Sequence, residues 1–261
     1  MEVAAVSLNS TTVGDGPTDV VFLHGLFGQG KNWTTTARGL EDLATSHLVD
    51  LPNHGQSSWT VEFTLDNQTD VLADWLRKTF DRPVAVVGHS LGGKIAMRLA
   101  LRHPELVERL LVSDISPARN DATTDFSTLV SAMRNLDLDD LPARSEADRR
   151  MARQVPDSTV RGFLLQNLRR KGGEWGWTCN LDLLGDSLYT IGGWPPIEAT
   201  YDGVVYWVAG GLSNYVLPEH REPMHQLFPK VISATIKTAS HWVHADEPAI
   251  FIATVKHFLH A

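Results

Sequence analysis

The sequence predicts an α/β protein: a mostly parallel twisted sheet with helices on both faces and a helical lid inserted between two late strands. Three observations predict it. Apolar runs of strand length alternate with segments of helical period, as expected when strands are buried on both faces and the crossovers are helices. The alternation breaks once, between Ser116 and Tyr201. A Gly-rich turn, Gly88-His89-Ser90-Leu91-Gly92-Gly93, joins a strand-like run to a helix-like one.

The strands read as Val20 to Leu23, His47 to Leu51, Val84 to Val87, Leu110 to Ser113, Val204 to Ala209 and Val231 to Ile236, with Val3 to Leu8 as an antiparallel edge. Helical spacing runs through Trp33 to Leu43, Leu65 to Phe80, Leu91 to Arg102, Pro218 to Phe228 and Pro248 to Leu259. In the break, helical stretches at Thr123 to Leu136 and Ser145 to Arg170 precede an irregular Gly/Trp-rich segment. The expected organisation is a core of residues 1–115 and 203–261 with residues 116–202 as an inserted lid. It would lie over the C-terminal edge of the sheet, where open α/β sheets place ligands. A peripheral decoration with no part in binding is the alternative.

With 261 residues, 43% apolar and 21% charged, the chain can bury a large core. A formal charge of −8 and scattered Lys and Arg argue against a nucleic-acid partner. Met1 to Gly16 lacks the basic and apolar regions of a signal peptide, and no run of eighteen apolar residues occurs, so a cytoplasmic protein without a membrane span is expected. Cys179 is the single cysteine and reads as a packing residue rather than a nucleophile, since no base stands in a recognisable constellation with it. The sequence carries no signal of oligomeric state.

Gly88-His89-Ser90-Leu91-Gly92 matches GxSxG after a strand and before a helix, which makes the match specific. A chain that turns this sharply brings strand and helix so close that side chains two before and two after the pivot would collide. Gly88 and Gly92 relieve the crowding, and Ser90 is thrust out above the sheet. A serine that merely caps the helix is the bland alternative. The helix start leaves the Leu91 amide free to face an oxyanion. A second donor is expected from the Leu26 amide in His24-Gly25-Leu26-Phe27-Gly28, with His24 orienting that loop. Ser90 needs a base and a third group to orient the base.

This context resembles the α/β-hydrolase fold, in which nucleophile, acid and histidine follow in that order. His241, after the last strand, is then the base, with His244 as rival. The usual acid position, Ala209 to Tyr215, holds no carboxylate. Asp114, one strand earlier beside the nucleophile's strand, is the acid, with Glu219 as fallback. Ser213 could add a hydrogen bond to the triad.

These stretches, with Asn32-Trp33, Asp50 to Ser57, Gly88 to Lys94, Ser113 to Pro117, Gly210 to Val216 and His241 to Ala245, make the chain similar to the YbfF-type bacterial esterases. That resemblance implies an acid on the earlier strand, a serine by the triad at Ser213, and hydrolysis of short to medium acyl esters, with acyl-CoA thioesters as candidate substrates. No cofactor or metal is expected; the partner is a small-molecule acyl ester or thioester. Two rivals use the same features: an alcohol acyltransferase sharing the acyl-enzyme, and a non-catalytic binding protein on a hydrolase scaffold. Trp175, Trp177 and Trp194 are expected either to line the acyl pocket or to pack beneath the lid.

Overall fold

Runs of β-branched and aliphatic residues form the strands. In the computed structural model, which describes residues 6–120 and 126–261, these are β1 (Ser10–Val13), β2 (Thr18–Leu23), β3 (Ala44–Val49), β4 (Val84–His89), β5 (Val107–Ser113), β6 (Leu168–Lys171), β7 (Glu174–Trp177), β8 (Val204–Gly210) and β9 (Val231–Ile236). Seven form one sheet in the order β1-β3-β2-β4-β5-β8-β9. All neighbours are parallel except β1, which runs antiparallel to β3.

The helices are α1 (Thr34–Arg38), α2 (Leu65–Thr79), α3 (Leu91–Arg102), α4 (Phe126–Arg134), α5 (Arg144–Met151), α6 (Ser158–Leu165), α7 (Leu181–Asp186), α8 (Leu188–Gly192), α9 (Arg221–Leu227), α10 (Val243–Asp246) and α11 (Pro248–His260). The period-2 geometry of β2 divides the core into two layers. Val21 and Leu23 join the larger cluster with residues of α2, α3 and the segment between β5 and β8, whereas Val20 and Phe22 join Trp33, Phe251 and Phe258 on the opposite face. Among the described residues no helix is long and apolar enough to cross a membrane.

Two expectations need correction. Among the described residues the antiparallel edge strand is Ser10–Val13, two residues beyond the expected Val3 to Leu8. Residues 3–5 lie outside the described residues, and 6–8 form no strand because their polar groups engage a neighbouring loop: the Ser58 amide donates to the Ser7 carbonyl at 3.0 Å, and the Ser7 amide to the Ser58 hydroxyl at 3.1 Å. The Gly/Trp-rich segment is a hairpin rather than irregular chain. β6 and β7 pair antiparallel across Gly172 and Gly173, whose φ values of 62° and 95° suit a tight hairpin turn. The helical stretch expected from Ser145 therefore divides at Pro156 and ends as a strand. Thr123, the expected start of the first helical stretch, lies outside the described residues.

The segment between β5 and β8 is seated on α3 by buried cations. Lys94 donates to the carbonyls of Ile191, Gly192 and Gly193 at 3.2, 2.7 and 2.8 Å. Arg98 bonds Asp66 at 2.8 Å through Nε and the Pro195 carbonyl at 2.8 Å. A buried ammonium is tolerated only with its protons engaged, and Lys94 engages three carbonyls at the end of α8. Burial, with a contribution from Arg119, brings its amine down to about 7.

Cys179 is wholly buried, and burial pushes its thiol up to about 12. Native protein is therefore expected to be inert to a thiol-specific disulfide reagent at about pH 8 and to react with one equivalent in urea; rapid reaction of the native protein would contradict this packing. A Cβ at Gly92 would meet the Leu23 and His24 carbonyl oxygens at 2.4 and 2.6 Å. Gly92→Ala is expected to cost about 1–3 kcal/mol in urea unfolding, and an unchanged midpoint would show that β2 and α3 can separate freely.

Candidate active site

The C-terminal ends of β2, β4, β5, β8 and β9 converge on one edge of the sheet. At the end of β4 the chain pivots at Ser90, whose φ of 52° and ψ of −117° lie outside the ordinary regions for a side-chain-bearing residue. The pivot is held from both sides: the Ser90 amide donates to the Ser113 carbonyl at 3.1 Å, and the Gly92 amide to the His24 carbonyl at 3.1 Å. The Ser90 hydroxyl lies 3.1 Å from His241 Nε2.

The opposite edge of that imidazole meets a carboxylate. His241 Nδ1 lies 2.8 Å from Asp114 Oδ2, so Nδ1 carries the proton and Nε2 is left as acceptor for the serine hydroxyl. Asp114 is wholly buried and sits at φ 50° just past β5. Its other oxygen accepts from the Gly210 amide at 2.8 Å, and Ser213 Oγ donates to Oδ2 in a short hydrogen bond. Glu219, the fallback acid, is exposed in a short 3-10 helix and makes no hydrogen bond to His241, whose ring nitrogens face Asp114 and Ser90.

The imidazole is also clamped. The Tyr215 ring stacks on it at 3.6 Å between centroids and 19° between planes, and His89 Nε2 donates to the His241 carbonyl at 2.8 Å. His244, the rival base, stacks instead on Trp33 at 4.3 Å, and burial lowers it to about 4. It is neutral at ordinary pH and is not within hydrogen-bonding distance of Ser90 or Asp114. Burial likewise lowers His89 well below its ordinary value.

Two further buried histidines shape the loop after β2. His24 accepts from the Leu51 amide at 3.0 Å through Nε2 and donates from Nδ1 to the Gly25 carbonyl at 2.8 Å, which bears out its orienting role. His54 accepts the Phe27 amide at 3.1 Å, holding Phe27 at φ 59°. Burial drives His54 down to about 3, leaving it the neutral ring that this acceptor role requires. The Leu26 and Leu91 amides donate to no protein acceptor among the described residues.

Leu26, Ser90 and Phe126 line both of two small adjoining compartments. The first is lined by Gly28, Asn32, Phe163, His241, Trp242 and His244; the second by Leu91, Lys94, Ile115, Ile191 and Tyr215. Trp175, Trp177 and Trp194 line neither and pack against the main core, Trp175 Nε1 donating to the Leu141 carbonyl at 2.6 Å. Of the expected site residues, Ser90, His241, Asp114 and Ser213 are linked in series by hydrogen bonds, and Leu26 and Leu91 border the serine. Sequence reasoning missed Tyr215, His89, His54 and Lys94. The first lay in a loop already singled out, and the other three looked like ordinary members of their motifs; stacking and burial have no local signal.

Residues 20–254 match the alpha/beta hydrolase family. The chain is 37% identical to the sn-1-specific diacylglycerol lipase ABHD11 of Danio rerio over 93% of its own length and 78% of that protein's. It is 29% identical to Esterase YbfF of Escherichia coli, covering 92% of each chain. A solved marine microorganism esterase superimposes with a TM-score of 0.94 at 29% identity, covering 97% of this chain and 99% of that one. With the expected sheet in place, and with similarity across nearly its whole length, the chain belongs to the alpha/beta hydrolase family and stands among its esterases and lipases.

Proposed function

We propose that this protein is a serine hydrolase that cleaves short to medium acyl carboxylesters and thioesters through an acyl-enzyme. The observation that carries the reading is the continuous relay from Ser90 through His241 to Asp114, at 3.1 and 2.8 Å. In this reading His241 Nε2 takes the Ser90 proton as the hydroxyl oxygen attacks the acyl carbonyl. The Leu26 and Leu91 amides hold the oxyanion, Asp114 stabilises the imidazolium, and His241 returns the proton to the leaving alcohol or thiol. Water then attacks the acyl-enzyme by the same route. Ser213 and the Gly210 amide keep the Asp114 carboxylate aimed at His241.

The two compartments support an assignment of substrate parts. His241 must reach the leaving atom, and it lines the first compartment, which takes the leaving group. The apolar second compartment, behind Leu91 and Ile115, takes the acyl chain and is closed by Ile191 and Gly192. Residues 116–202 then act as the lid, supplying Phe126, Phe163 and Ile191 to the walls.

Hydrolysis of p-nitrophenyl esters from acetate to palmitate is expected to peak at a short or medium chain, and absence of wild-type activity on every chain would overturn the reading. Ser90→Ala is expected to lower kcat by about ten-thousand-fold or more, and Asp114→Asn by about a thousand- to ten-thousand-fold, with the fold retained by circular dichroism. Ser213→Ala removes one hydrogen bond from a charged group and is expected to lower kcat about tenfold with KM little changed. Near-wild-type turnover of Asp114→Asn together with an inactive Glu219→Gln would move the acid to Glu219.

A further inference from the structure

Four buried histidines besides His241 stand near the triad, and two of them spend both ring nitrogens on backbone groups. His24 bonds the Leu51 amide and the Gly25 carbonyl, and His54 bonds the Phe27 amide and, at 2.9 Å, the Pro52 carbonyl. His89 spends only one nitrogen, and His244 neither. His89 donates through Nε2 to the His241 carbonyl, and burial keeps the ring neutral, so its Nδ1 carries a lone pair and is an acceptor. That acceptor lies beside the nucleophile: a Cβ on Gly25 would meet His89 Nδ1 at 3.0 Å and the Ser90 Cβ at 3.2 Å.

His244 is the complement of this acceptor. Its Nδ1 is enclosed without a hydrogen-bond partner, so the single proton of the neutral ring belongs on Nε2, which then presents a donor. Neither His89 Nδ1 nor His244 Nε2 is sealed off in this way, and both rings line the first compartment together with Ser90 and His241. The two rings meet edge to face with centroids 5.0 Å apart, and the His89 ring is 4.7 Å from that of His241. An acceptor and a donor beside the general base suit a small molecule that both gives and takes hydrogen bonds. Water attacking the acyl-enzyme is such a molecule: it gives one proton to His241 and keeps a second O–H, which needs an acceptor once bulk water is excluded. An alcohol in the same place carries carbon there instead.

We propose that His89 and His244 hold the water that cleaves the acyl-enzyme, His89 Nδ1 accepting its spare O–H and His244 Nε2–H donating to its oxygen, and so favour hydrolysis over acyl transfer. This rests on the hydrolase reading above. In the step, the water oxygen bonds to the acyl carbon as His241 Nε2 takes one proton. The bond from that carbon to Ser90 Oγ then breaks, the proton passes to Oγ, and the second hydrogen leaves on the carboxylic acid. His89 and His244 change protonation at no point; they are positioning residues for the nucleophile.

The test is how one acyl-enzyme divides between two nucleophiles. Protein is given p-nitrophenyl butyrate in aqueous methanol, and butyric acid and methyl butyrate are quantified. Their ratio depends on deacylation alone, so a change that merely disturbs His241, which serves both nucleophiles, leaves it unaltered. His89→Gln keeps an amide donor for the His241 carbonyl and removes the Nδ1 acceptor; His244→Phe keeps an aromatic ring on Trp33 and removes the donor. With the fold checked by thermal midpoint, each is expected to raise the ratio of ester to acid about fivefold, the effect of one lost hydrogen bond. His244→Gln, whose amide N–H falls near the position of Nε2–H, is expected to return the ratio to within about twofold of wild type. A rise of less than about twofold in either His89→Gln or His244→Phe, or a His244→Gln that matches His244→Phe, overturns the water site. Wild-type protein that releases neither acid nor ester overturns the hydrolase reading and this site with it, whereas an active wild type with unchanged ratios in the variants overturns the site alone.

Discussion

The buried Asp114 carboxylate is the constraint around which the edge of the sheet is arranged. A carboxylate without water is stable as an anion only where donors replace its hydration, and here they come from three places: the Gly210 amide at the end of β8, the Ser213 hydroxyl in the loop beyond it, and His241 after β9. The backbone is recruited as well, since the Asp114 amide donates to the Val208 carbonyl at 2.8 Å. The side-by-side order β4-β5-β8-β9 therefore matters chemically. Adjacent strands deliver Ser90, Asp114, Ser213 and His241 to one end of the sheet.

The surrounding histidines show how burial separates roles among identical side chains. His24, His54, His89 and His244 are all buried, and burial lowers each of them. Neutral rings can accept backbone amides, as His24 and His54 do, and so hold the Leu26 loop in a conformation with Phe27 at positive φ. His241 differs by having a carboxylate on one nitrogen and a hydroxyl on the other, with Tyr215 fixing the plane of its ring.

Buried cations do for the inserted segment what the carboxylate does for the site. Lys94 lies four residues beyond Ser90 on the same helix, and its three carbonyl partners place α8 over the second compartment. The helix that begins at the pivot thus also seats the wall of the cleft, coupling the size of that compartment to the position of the serine.

The parallel sheet, its crossover helices and the turn at Ser90 were legible in the sequence because they rest on local physics: apolar periodicity, and glycines where a Cβ would strike backbone, as at Gly92. The absence of a carboxylate from Ala209 to Tyr215 pointed to Asp114 by the same local reading. The hairpin at β6 and β7 was not legible, since Leu168 to Lys171 has helical composition and becomes a strand only by pairing across Gly172 and Gly173. Nor was the edge strand, where Val3 to Leu8 is the more apolar run but the polar Ser10–Val13 finds the hydrogen-bonding partner. By itself the sequence determined which residues could meet at the sheet edge, because strand and turn patterns are written in neighbouring side chains. Only the tertiary structure decided which do meet, which of the histidines burial keeps neutral, and where Tyr215 and Lys94 act, because those outcomes depend on groups brought together from distant parts of the chain.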